Sequence, residues 1–85
     1  FKGDLFMKRY QFTTLIWEED GVYVSKCMEI EVASCGDTPK EAHDNLREAI
    51  DLWLKNAEYL DILSDIEPSI TSSEKFSSVI EVEVA

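Results

Sequence analysis

The side chains in this sequence that could do chemistry are few in kind: one histidine, His43, two cysteines, Cys27 and Cys35, and 18 aspartates and glutamates. Two cysteines are too sparse for a disulfide scaffold, and with a single histidine they do not complete a plausible zinc set. They read as reduced thiols on strands. His43 has no serine, cysteine or second histidine beside it in sequence with which to build a nucleophilic triad. The carboxylates remain. Acids converging on one pocket could hold a divalent metal for phosphodiester cleavage, but here they are scattered over turns and over the polar side of a helix, which is the pattern of a solvated surface. The sequence therefore points to no catalytic residue, no metal ligand and no cofactor.

Binding is the chemistry left to these acids. Against 8 lysines and arginines they give a net charge of -10. Such a chain is repelled by nucleic-acid phosphates and by anionic membranes, whereas a basic protein is steered toward it. The densest acids, Glu18, Glu19 and Asp20 in one turn and Glu29 and Glu31 in the next link, are the candidate partner-binding residues. No stretch is apolar enough to span a bilayer, and the N-terminus lacks the basic, apolar and small-residue order of a signal peptide. The simplest expectation is a cytoplasmic protein with no direct nucleic-acid or membrane contact.

The elements that must position these residues are readable in outline. Residues 1–6 precede Met7, a plausible native start, and read as an extension or a cloning remnant, leaving one domain over residues 7–85. Residues 10–17, YQFTTLIW, are dense in aromatic and β-branched side chains and predict a strand. EEDG then supplies a polar turn, VYVSKC a second strand closing a hairpin, and VASC a third. In residues 36–54, GDTPKEAHDNLREAIDLWL, Thr38 is a helix cap, Pro39 fits the first helical position and Glu41 completes a capping box. Ala42, Leu46, Ala49, Ile50, Trp53, Leu54 and Ala57 recur at helical spacing, predicting a helix packed on a sheet, with Leu52 the apolar exception on the polar side. Either this helix breaks near Asn56, or it runs on through Leu60 and Leu63 and overhangs the sheet. Residues 64–78, rich in serine with one proline, read as a connection with little regular structure. Residues 79–84, VIEVEV, alternate as a half-buried fourth strand. The expected fold is α+β, β-β-β-α-β, with a three-stranded antiparallel meander, one main helix on one face and a fourth strand.

At this point the hairpin IWEEDGVYVSKC, the link MEIEVASCGDT and the helix TPKEAHDNLREAIDLWL carry a resemblance. From about Tyr10 to Leu54 the chain resembles the HicB family of antitoxin-type domains. The most specific parts are Asp20-Gly21 with Tyr23, and Gly36-Asp37-Thr38 followed by Glu41-Ala42 and Asn45-Leu46. Many members carry a proline after the second strand and a Pro-Gly or similar turn before the third, where this chain has Met28 and Glu31-Val32, so the shape of that loop departs from the family. The resemblance implies a partial ribonuclease-H-like sheet whose fourth strand lies parallel beside the first. It also implies a partner, a small basic mRNA-cleaving toxin of the HicA type. No helix-turn-helix or ribbon-helix-helix segment follows the last strand, so operator binding is not expected.

The resulting expectation is a non-catalytic antitoxin-type protein that neutralises such a toxin by protein-protein binding. The alternative is a stand-alone oligomeric HicB-like protein with a regulatory or scaffold role and no toxin. A nuclease is disfavoured by the scatter of the acids. In either case a homo-oligomer, most simply a dimer, is expected. A chain this short buries only about 60% of its unfolded surface, and its first strand is apolar on both faces, Phe12 and Ile16 on one and Leu15 and Trp17 on the other. Leu15, Trp17, Leu60 and Leu63 are the candidate oligomer contacts.

Overall fold

The computed structural model describes residues 9–60 and 62–85. Three strands, β1 (Thr14–Glu19), β2 (Val22–Cys27) and β3 (Ala33–Gly36), form an antiparallel sheet in the order β1-β2-β3. Two helices follow, α1 (Pro39–Tyr59) and α2 (Leu63–Thr71). The fold is α+β, with α1 packed on one face of the sheet.

The hairpin is set by its two-residue turn. Asp20 and Gly21 both have positive φ, 51° and 83°, the type I′ pattern whose twist matches that of the flanking strands. Glu19 therefore faces Val22, and the register runs without a slip to Thr14 opposite Cys27. In β2, Tyr23, Ser25 and Cys27 turn toward α1. The Ser25 hydroxyl, fully buried, donates to the Ala42 carbonyl at 2.8 Å. β3 ends at Gly36, where an added Cβ would stand 2.6 Å from the Ala42 nitrogen and 2.8 Å from the Glu41 carbonyl carbon. Only glycine lets the first turn of α1 lie this close to the strand.

The start of α1 follows its cap sequence. The Thr38 hydroxyl accepts from the Glu41 N–H at 3.0 Å, and the Glu41 carboxylate reaches back to the Asp37 N–H at 2.9 Å, one residue before the cap itself. Pro39 occupies the first turn. Ala42, Leu46, Ile50 and Ala57 are buried, and Trp53 and Leu54 pack at the edge of a core made of Cys27, Ile30, Leu46 and Ile50. Leu52 remains 70% exposed. At 21 residues α1 is about 31 Å long, against about 20 Å for a six-residue strand. It closes at Leu60, whose N–H donates to the Asn56 carbonyl.

Two expectations are corrected. First, residues 64–78 are not wholly irregular, because α2 occupies Leu63–Thr71. Leu63, Ile66 and Ile70 fall at helical spacing; Ile70 is fully buried and Ile66 packs on the core. Pro68 deprives the Ser64 carbonyl of its helical donor, but Ser64 lies in the exposed first turn, where water supplies one. The Gln11 N–H donates to the Ile70 carbonyl at 2.6 Å, tying α2 to the segment that enters β1. Second, residues 79–84 form no strand in the single chain, and Ile80, Val82 and Val84 are 81%, 74% and 87% exposed. Alternation makes a segment two-faced, but a strand also needs a neighbour for its backbone groups, and among the described residues none lies beside this one. The molecule measures 56 × 27 × 24 Å, with a radius of gyration of 15.4 Å, where compact chains of this length reach about 12 Å.

Candidate functional site

The type I′ turn carries Glu18, Glu19 and Asp20 to the tip of the hairpin, all exposed. Among the described residues no hydrogen bond or ion pair engages their side chains, so the tip is an uncompensated cluster of negative charge. The face of the sheet opposite α1 runs directly from it. Strand pairing sets Trp17 beside Val24 and Leu15 beside Lys26 on this face, and carries it on to Cys35 and Ala33 of β3. Trp17, Leu15 and Val22 are 40%, 40% and 38% exposed. The result is an apolar strip with one cation, Lys26, bordered at the turn by Glu19 and Asp20, while Glu18, opposite Tyr23, falls on the helix-side face. Glu19 and Asp20 and the candidate contacts Leu15 and Trp17 are thereby parts of one surface.

Leu60 and Leu63 are not part of it. Leu60, 53% exposed, closes α1, and Leu63 opens α2 half buried. Both belong to the helical layer on the other side of the sheet.

Glu31 is exposed in the loop before β3, whereas Glu29, two residues earlier, is committed inside the molecule. Its carboxylate accepts from the Thr13 N–H at 2.7 Å, the Thr13 hydroxyl at 2.8 Å and the Lys75 ammonium at 2.8 Å. The Lys75 and Glu29 side chains are 18% and 11% exposed. Lys75 also donates to the Gln11 carbonyl. Burial works against ionising Glu29, but the bonds from Lys75 and Thr13 prevail and hold its carboxyl below the ordinary value of 4.5. The neighbouring Cys27 thiol is pushed up, first by burial and further by the Glu29 charge, against the pull of backbone bonds from Ile30 and Glu29. It is a packed, unreactive thiol. Cys35 is exposed, and neither cysteine forms a disulfide. Nothing in the sequence singles out Lys75, since its partner lies far away along the chain.

A depression of about 560 Å3 opens between α1 and the β1 side of the sheet. Phe12, Thr14, Ile50 and Leu54 line it, with His43, Arg47, Glu48 and Asp51 toward solvent. His43 is exposed, its Nδ1 3.5 Å from an Asp44 carboxylate oxygen, and Asp51 is paired with Lys55 at 3.3 Å. Among the described residues no three metal-binding side chains come together in a metal-holding arrangement, and no helix is long and apolar enough to cross a membrane.

In comparisons with known proteins, no family model, no curated protein and no solved structure matches this chain.

Proposed function

We propose that this protein is a non-catalytic, HicB-like antitoxin-type binding protein, which holds a small basic mRNA-cleaving toxin of the HicA type by covering its RNA-binding surface. The observation that supports this reading best is the union of the free acids Glu19 and Asp20 with the exposed strip of Trp17, Leu15 and Val22, Glu18 adding its charge at the same hairpin tip. An apolar centre with a tryptophan, bordered by charge of one sign, is how a protein recognises a protein of opposite charge. The acids accelerate encounter, and the tryptophan slows release. The resemblance of the hairpin and the α1 start to HicB domains, with the partial ribonuclease-H-like sheet it implies, supplies the class of partner.

Co-expression with the protein encoded next to its gene tests the reading. The expected result is a stoichiometric complex in which mRNA cleavage by that neighbour is suppressed. Reversing charge at Glu18, Glu19 and Asp20 together should slow association by about tenfold or more at low salt. Trp17→Ala should mainly speed dissociation. Cleavage that continues in the presence of excess protein, or a neighbour that does not bind, refutes it.

A further inference from the structure

Residues 79–84 have the chemistry of a strand and, among the described residues, no strand beside them. Ile80, Val82 and Val84 share one face, Glu81 and Glu83 the other, and all of them are exposed. Isolated apolar side chains on a surface are ordinary, but a regular alternating row on an extended backbone is a strand awaiting a sheet edge.

The sheet has such an edge. β1 is terminal in the strand order, with no strand beyond it among the described residues. The Met28 N–H donates to the Thr13 carbonyl, and with the hairpin register this turns the backbone groups of residues 13, 15, 17 and 19 toward β2. Those of Thr14, Ile16 and Glu18 point to the open side. β1 has six residues, as many as the segment 79–84. β3 is the poorer acceptor, with four residues and its last one wedged under the start of α1.

Beside the open edge of β1, on the helix side, lies the depression of about 560 Å3 lined by Phe12, Thr14, Ile50 and Leu54. A strand added to this edge would place one of its faces over that space. Ile80, Val82 and Val84 are the face that suits it, since Phe12, Ile50 and Leu54 are apolar; Glu81 and Glu83 would then point away to solvent. Acceptor backbone and apolar slot thus coincide on one edge.

The chain's own tail is held away from this slot. Lys75 is fixed to Glu29 and to the Gln11 carbonyl, and Phe76, Ser77 and Ser78 then run past Leu15 and Met28, on the opposite face of the sheet. Beyond them the chain stands in solvent, with Val79, Ile80 and Val84 94%, 81% and 87% exposed. We propose that residues 79–84 are exchanged between two copies of this chain, each copy supplying the missing fourth strand at the open β1 edge of the other. Every copy has one donor and one acceptor, and reciprocal exchange under a twofold axis, the commonest closed symmetry, satisfies both with two copies. The proposal is independent of any toxin partner.

Light scattering at micromolar concentration and amide hydrogen exchange test it together, on the full chain, on a chain ending at Ser78, and on the Ile80→Asp, Val82→Asp variant. The full chain should show twice the 9.7 kDa chain mass, and both variants the single mass. The amides of Thr14, Ile16 and Glu18 should exchange at least about tenfold faster in the variants than in the full chain. Unchanged protection of the α1 amides verifies that the variants are folded. A monomeric full chain overturns the proposal, whether its tail is protected in its own slot or unprotected. So does a dimer that survives removal of the tail, which would be held by another surface. A dimer in which the Thr14, Ile16 and Glu18 amides exchange freely also overturns it, because its tails would then pair with each other.

Discussion

Lys75→Met removes the cation from the Glu29 clamp while keeping most of the aliphatic stem. In the native protein the Glu29 carboxylate, 11% exposed, receives Lys75 at 2.8 Å and two further bonds from Thr13. A hydrogen bond to a charged group contributes about 1.5–3 kcal/mol, and breaking a fully buried pair costs about 3–5 kcal/mol. Here the Thr13 bonds survive and both groups keep some solvent, so a loss of about 2 kcal/mol at neutral pH is expected, at the lower end of that span. Urea unfolding measures it. The pH dependence gives a second, sharper reading. Because the folded-state carboxyl of Glu29 lies below its ordinary 4.5, its contribution is fully present above that value and is lost as pH falls through the folded pKa. The stability difference between wild type and Lys75→Met should accordingly shrink on acidification below pH 4.5. A loss under about 0.5 kcal/mol at neutral pH would place the pair among solvated surface ion pairs and refute the reasoning. So would a difference that does not change with acid.

Two glycines should fail for different reasons. Gly36→Ala forces a Cβ to within 2.6 Å of backbone and should cost about 1–3 kcal/mol through displacement of the α1 start, visible as a lowered urea midpoint and weakened exchange protection in the first turn of α1. Gly21→Ala meets nothing within 4 Å, so its cost, about 1 kcal/mol, comes from the positive φ alone and should leave α1 protection unchanged. Thr38→Ala, which removes the acceptor of the Glu41 N–H, should cost about 1 kcal/mol in thermal or urea unfolding; no loss would mean that the cap contributes nothing to this helix.

What was legible in the sequence was local. EEDG between two β-rich runs marks the hairpin, because turn preference is a property of those residues themselves; that the turn narrows to Asp20 and Gly21 at positive φ came with the structure. Thr38, Pro39 and Glu41 specify the start of α1 for the same reason, and the stripe from Ala42 to Ala57 specifies its buried face. Even the two-sided apolar character of β1 could be read, since alternate residues of a strand must face opposite ways. Three features were decided only by tertiary structure. α2 was obscured by serines and Pro68; it forms because Ile66 and Ile70 find the core and the Ile70 carbonyl finds the Gln11 N–H, so packing outweighs weak propensity. The Glu29–Lys75 clamp joins residues brought together only when the chain after α2 returns to the start of β1. It removes Glu29 from the exposed acids with which its sequence position grouped it. The strand pattern of residues 79–84 was visible, but its neighbour was not, because a period of two states which side chains share a face and says nothing of which backbone lies alongside.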